Sequence, residues 1–338
     1  MLVLAVLVVL TGCGTARPGG AAGPVARVAV TPAAGASGVD PVAPIGVEVS
    51  DGHLDQIALT NANGKQVEGR LTPDRTTYEI IEPLGYDATY TWTGTAIGTD
   101  GIPVPIDRTF TTLSPESTIP ATVNIGDGQE VGIAAPIILK FTGPVPDKAA
   151  VERALTVTTE PATEGAWAWL PDDGGSRVHW RPRNYWIPGT KVHMSARLYG
   201  LDFGGGAYGH ADLTTDFTIG RSQIVLADAP SHRMRVVRDG TTVFDFAVFC
   251  GECDEPRDVT RSGIHVVTEK YVTNGCIDLS PADAAAYFPT AMYGDPVEVT
   301  GTAIPLSRAD GDIYDWAVDW SAWRSMSALA GASSSGPR

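Results

Sequence analysis

The stretch Ala43-Pro44-Ile45-Gly46-Val47-Glu48-Val49 returns in type as Ala135-Pro136-Ile137-Ile138-Leu139-Lys140-Phe141. In the first copy apolar side chains fall on alternate positions, the period of a strand with one face against a core. Working outward, Tyr78-Glu79-Ile80-Ile81 and Thr89-Tyr90-Thr91-Trp92 carry the same β-branched and aromatic bias. Asp51-Gly52, Asn63-Gly64 and Asp100-Gly101 supply turns at intervals suited to a β-sandwich. No helix of ordinary length fits before Pro115. Each copy closes on a similar strand, Thr109-Phe110-Thr111-Thr112 and Asp216-Phe217-Thr218-Ile219. Two successive sandwiches at 27–114 and 115–220 are therefore predicted, each near the ~100 residues of an immunoglobulin-like fold. Neither contains a cysteine, so neither has the inter-sheet disulfide of antibody domains.

The 338 residues include 24 basic and 39 acidic side chains, a net charge of −15, with 43% apolar and 19% charged residues. Such acidity excludes nucleic acid as the expected partner, because binding a phosphate backbone relies on clustered Lys and Arg. The 38 glycines and 25 prolines mark a folded, turn-dense chain rather than low-complexity disorder. The apolar run Leu2 to Leu10 is about half the ~20 residues needed to span a bilayer. It ends in Leu10-Thr11-Gly12-Cys13, which resembles a bacterial lipoprotein signal with its lipobox. That resemblance implies cleavage before Cys13, acylation of its thiol and an exported chain held to the membrane only by the lipid. A buried apolar strand is the alternative reading. Residues 14–24 lack periodicity and read as a tether. Trp167, Trp169, Trp180, Tyr185 and Trp186 crowd the second sandwich, either as a stacking surface for sugar rings or as core. The large area such rings bury favours core.

A third region begins at Arg221, where Gln223-Ile224-Val225-Leu226, Arg233 to Val237 and Thr242 to Phe246 read as strands and Asp239-Gly240 as a turn. Cys276 stands within Thr273-Asn274-Gly275-Cys276-Ile277-Asp278-Leu279-Ser280-Pro281, where Ser280 caps and Pro281 opens a helix from Ala282 to about Phe288. The thiolate is the nucleophilic form of cysteine, and a nearby helix start favours it. Gly275 allows close approach of the backbone, and consecutive amides at such a turn can donate to an oxyanion. Cys250 and Cys253 form a C-x-x-C pair without a surrounding βαβ pattern. A local disulfide or two thiols is the expectation outside the cytosol. A zinc site would need Cys276 and His265 and lacks two paired ligand clusters, so no metal or other cofactor is expected.

Thr260-Arg261-Ser262-Gly263-Ile264-His265-Val266-Val267-Thr268-Glu269-Lys270, followed by Thr273 to Ser280, resembles the L,D-transpeptidases of actinobacteria. Gly311-Asp312-Ile313-Tyr314-Asp315-Trp316, with Trp320 and Trp323, resembles that family's C-terminal extension, which packs back on an immunoglobulin-like domain. Tyr199-Gly200 to Ile219-Gly220-Arg221 resembles its junction between second sandwich and catalytic domain. The resemblance implies a mainly β chain. Its parts are a signal peptide (1–12), a tether (13–26), two immunoglobulin-like sandwiches (27–114 and 115–220), a shortened catalytic domain (221–300) and a Trp-bearing extension (301–338). It also implies cofactor-free acyl transfer on peptidoglycan stem peptides. The cysteine attacks the carbonyl of the third stem residue and expels the terminal D-alanine, and a second stem's amine then takes the acyl group as a 3-3 cross-link. Members are generally acylated by carbapenems.

Carried over, Cys276 is the nucleophile, the amides of Gly275 and Cys276 form the oxyanion hole, and Thr273 and Asn274 support it. Asn274 stands where most members have His. The family's long stretch between the Glu-Lys strand and the cysteine motif, with its lid and the histidine that withdraws the thiol proton, is reduced here to Tyr271 and Val272. A thiol of ordinary pKa near 8.5 is only a few per cent ionised at pH 7, and loss of a base commonly costs on the order of 10² to 10⁴ in rate. His265, nearest in sequence, is the candidate substitute base, against its reading as a cross-strand packing residue. His232 falls in a loop, and His53, His179, His193 and His210 belong to the sandwiches. Two function classes follow: an exported, lipid-anchored L,D-transpeptidase, or a cell-wall lipoprotein whose sandwiches act as spacer or binding module and whose catalytic domain has lost activity.

Overall fold

The computed structural model describes residues 25–249, 260–270 and 277–330. Strands dominate them, and the α-helices are short: Lys148–Arg153, Pro281–Tyr287 and Trp320–Ser325. Among the described residues no helix is long and apolar enough to cross a membrane. The chain divides into two compact units, one ending at Ser114 and the other beginning at Pro115.

In the first unit the opening motif becomes the strand Gly46–Ser50, with Val47 and Val49 buried and Glu48 and Ser50 exposed. It pairs antiparallel with Arg27–Thr31 and Thr77–Ile80, and Gly69–Leu71 completes that sheet. A second sheet, Gly52–Asn61, Thr89–Gly98 and Pro103–Thr111, is antiparallel throughout. Leu54, Leu59, Tyr78, Trp92, Ile106 and Phe110 fill the core, where Tyr78 meets Trp92 edge-on at 6.0 Å. The turn signals act in two ways. Gly64 and Gly101 both take φ of 79°, as tight turns require. At Asp51-Gly52 the aspartate takes the left-handed conformation, φ 58°. Gly52 instead starts the strand, where a Cβ would fall 2.3 Å from the Ile97 carbonyl oxygen.

The second unit contains a sandwich of two four-stranded sheets. One runs Gly165–Leu170, Arg177–Pro182, Ile137–Phe141, Ala121–Val123. The other runs Glu130–Val131, Leu213–Ile219, Lys191–Ala196, Leu155–Glu160. Trp167, Trp169, Trp180 and Trp186 lie in the core between them, so these rings pack rather than offer a sugar-stacking face. Tyr185 is half-buried and donates its hydroxyl to Glu298 Oε1 at 2.8 Å.

Strand Arg177–Pro182 departs from the expected alternation, because all six residues are buried. Val178 and Trp180 face the core. Period two sends Arg177, His179 and Arg181 to the opposite face, and there the C-terminal tail covers them. Arg177 pairs with Asp312 at 2.9 Å, and His179 Nδ1 donates to Asp315 at 2.9 Å, both side chains being fully buried. The Arg181 guanidinium lies 4.7, 5.3 and 4.8 Å from the rings of Trp316, Trp320 and Trp323. Its N–H groups also reach the Val318 carbonyl at 2.7 Å.

The third region forms a six-stranded sheet in the order Gly263–Val266, Pro296–Thr300, Gln223–Asp228, Arg233–Arg238, Thr241–Phe249, Asp278–Leu279. Only Gln223–Asp228 with Pro296–Thr300 is parallel. Val225, Ala227, Met234, Val236, Phe246, Val248 and Val299 make its core. The turn leading into Pro296–Thr300 is hydrogen-bonded to the second sandwich: Gly132 N donates to Tyr293 O at 2.7 Å and Ala134 N to Gly294 O at 2.8 Å. A Cβ at Gly132 would fall 2.4 Å from Asp295 N, so glycine permits this approach.

Candidate active site

Thr273, Asn274, Gly275 and Cys276 lie outside the described residues, as do Cys13, Cys250 and Cys253; the chain is described up to Lys270 and again from Ile277. Immediately after Cys276, Ile277 packs against the sheet core, and Asp278 and Leu279 pair with Phe249 and Val248. A two-residue strand thus separates the cysteine from the helix. The expected cap follows. Ser280 Oγ accepts from Asp283 N at 3.2 Å and donates to Asp283 Oδ2 at 2.7 Å, and Pro281 opens the helix Pro281–Tyr287. Tyr287, which packs on the sheet core, has its hydroxyl pushed up to about 12 by burial.

Before the cysteine, strand Gly263–Val266 ends short of Glu269 and Lys270. The exposed Lys270 reaches the far end of the helical run: Nζ donates to Ala291 O at 2.9 Å and Phe288 O at 3.2 Å. It also sits 5.0 Å from the Phe288 ring centre. The turn it grips is itself fixed. The buried Asp295 carboxylate accepts from both terminal nitrogens of Arg221 at 3.1 and 3.0 Å, from Gln223 Nε2 at 3.1 Å and from Met292 N at 3.0 Å. Burial pushes this carboxyl up, against those four bonds, which favour the charged form. Neither clamp was visible from residue types, because each joins groups far apart in sequence or a side chain to carbonyls.

His265 pairs with Val297, on the strand that follows this turn. It lies on strand Gly263–Val266, one edge of the sheet, whereas Asp278, two residues after Cys276, lies on the opposite edge. Five strand spacings of about 4.8 Å put those edges ~24 Å apart in a flat sheet. A base must come within hydrogen-bond reach of the thiol, and Cys276 lies outside the described residues. His265 Nε2 donates to Arg261 O at 2.8 Å, and the ring faces a cavity of about 700 Å³ lined also by Asn124, Lys140, Thr268, Glu269 and Tyr293. His232 occupies a turn with φ 52°. Among the described residues no group of three or more His, Cys, Asp or Glu could hold a metal ion.

A family model for the bacterial Ig domain matches residues 36–202. L,D-transpeptidase 5 of Mycobacterium tuberculosis (strain ATCC 25618 / H37Rv) is 52% identical over 351 residues, covering 90% of this chain and 78% of that protein. This chain belongs to the L,D-transpeptidase family. L,D-transpeptidase 2 of Mycobacterium tuberculosis (strain CDC 1551 / Oshkosh) is 30% identical over 347 residues, covering 88% of this chain and 83% of the relative. Among solved structures, LD transpeptidase LdtMt1 in complex with imipenem is 25% identical, covering 53% of this chain and 97% of that one, with a TM-score of 0.41. Both sequence alignments are longer than the 338 residues of this L,D-transpeptidase, so they run through positions that it lacks.

Proposed function

We propose that this L,D-transpeptidase forms 3-3 cross-links between peptidoglycan stem peptides through an acyl-enzyme on Cys276. The observation that carries the proposal is 52% identity to L,D-transpeptidase 5 across nine-tenths of the chain. In the proposed reaction the Cys276 thiolate attacks the carbonyl of the third stem residue, and the amides of Gly275 and Cys276 donate to the resulting oxyanion, flanked by Thr273 and Asn274. The tetrahedral intermediate collapses to a thioester as D-alanine leaves with a proton on its amine. The side-chain amine of a second stem attacks the thioester, and the thiol is released.

The proposal divides the chain at 221–300 for the acyl-transfer domain and 301–338 for the extension. A signal at 1–12 and lipid on Cys13 place the enzyme outside the cell membrane, and residues 13–26 give it reach toward the wall. A carbapenem acylates the same thiol. With the family's base histidine lacking a counterpart, the thiol proton leaves to solvent, and only the thiolate fraction reacts, a few per cent at pH 7 for an ordinary thiol.

Incubation with a disaccharide-tetrapeptide should therefore release D-alanine and yield a 3-3 dimer detectable by mass spectrometry. The rate should be on the order of 10² to 10⁴ below that of L,D-transpeptidase 5 under the same conditions. No dimer, together with sedimentation on purified sacculi, would instead support a wall-binding lipoprotein without turnover.

A further inference from the structure

We infer that the cavity of about 700 Å³ between strands Ala121–Val123 and Gly263–Val266 is a second site for a peptidoglycan stem peptide, laid in extended form along the open edge of Gly263–Val266. The inference rests on the substrate proposed above. Its own ground is that both strands are the outermost of their sheets and both line the cavity, Val123 from one and Val266 from the other. Successive residues of a strand turn their N–H and C=O to opposite sides. Val267 bonds to Asp295 and Gly294, and His265 is paired with Val297, so alternation turns the backbone groups of Ile264 and Val266 away from the sheet. On the facing strand Asn124 N donates to Ile138 O at 3.2 Å and Thr142 N to Pro120 O at 3.0 Å, which leaves Val123 turned outward. Among the described residues no backbone partner meets these outward groups.

The edge already accepts extended chain just before the strand begins. Ser262 N donates to Ile304 O at 2.9 Å, and Leu306 N to Ser262 O at 2.6 Å. An unpaired strand edge recruits peptide, whose own N–H and C=O groups repeat at the spacing of the strand. A glycan lacks that repeat. The volume is that of a small-molecule pocket, which suits a short stem better than a protein partner. Side chains supply what the ends and carbonyls of a stem need. Lys140 and Asp312 stand on the wall as an exposed pair 2.8 Å apart, able to meet a carboxylate and an amine. Tyr293 accepts from Asn124 Nδ2, which leaves its own proton to donate, and burial keeps that hydroxyl protonated, its pKa pushed up to about 12.

The test uses the full chain carrying Cys276→Ala, so that no turnover consumes the probe, and a stem tetrapeptide without sugar. At about ten times its dissociation constant the tetrapeptide should slow amide hydrogen exchange at Ile264 and Val266 about tenfold. Thr122→Trp, at an exposed position on the cavity wall, should fill the space and weaken binding about tenfold or more. Val266→Pro removes one outward N–H where an edge strand tolerates proline, and should weaken binding roughly fivefold. Should Val266→Pro fail to fold, Thr122→Trp decides. Unchanged exchange at Ile264 and Val266, or a Thr122→Trp that binds as well as its parent, would overturn the inference. So would a disaccharide without stem that slows the same amides as much as the tetrapeptide. Slowing as predicted, with a wild-type chain that forms no 3-3 dimer, would remove the proposed activity and leave the site standing; a dimer made by a chain whose amides do not respond would remove the site alone.

Discussion

Trp323 has no exposed surface. It donates its indole N–H to Ala166 O at 2.9 Å and packs with Ala168, Leu170 and Tyr314. Trp323→Ala removes the ring from a site the rest of the tail cannot collapse into, and should destabilise the second unit by about 3–5 kcal/mol. Urea unfolding would register this as a lower midpoint, and a change under 1 kcal/mol would show that the tail contributes little. The partner of this residue was hidden in the sequence. Arg177, His179 and Arg181 sit at alternate positions of a strand, and period two alone assigns them to solvent. Burial follows from Asp312, Asp315 and the tryptophans arriving over 130 residues later, a distance no local pattern spans. Ser280, in contrast, was legible as a cap, because its bond to Asp283 is completed within one helical turn.

At the scale of elements, the tail is the piece whose attachment depends on charge. Asp312 accepts from Lys140 at 2.8 Å and from Arg177 at 2.9 Å, and these hydrogen bonds hold its carboxyl below the ordinary value, Lys140 having the larger effect. A carboxyl depressed on folding adds stability that is fully present above its unfolded pKa of about 3.9 and is lost as pH falls through the lower folded value. Tail docking should therefore be unchanged between pH 7 and about 5 and weaken only below about pH 4. Tryptophan emission would report the release as a red shift. In Asp312→Asn the acid dependence should shrink, and a shift identical to wild type would assign it to other carboxylates. Strands such as Gly46–Ser50, Gln223–Asp228 and Arg233–Arg238 were readable because each has its own alternation or turn residues. Their order in the sheets was not. The placement of Gly263–Val266 and Asp278–Leu279 at opposite edges follows from pairings between distant segments.

In the molecule as a whole, local alternation and the returning Ala-Pro motif were enough to expect two sandwiches. The hydrogen-bonded join of the second sandwich to the third region was not, because backbone amides and two glycines make it. The cysteine motif and the tail carried the family, and the shortened segment before Thr273 carried the expectation of slow chemistry. Family membership follows from 52% identity, and what turns membership into activity is one reactive thiol. Intact mass and peptide mapping after incubation of the purified chain with imipenem test that thiol most directly. The account predicts a single covalent adduct, located on Cys276 and lost in Cys276→Ala, formed more slowly than on L,D-transpeptidase 5. A chain that stays unmodified after prolonged incubation, or is modified on another residue, would contradict it.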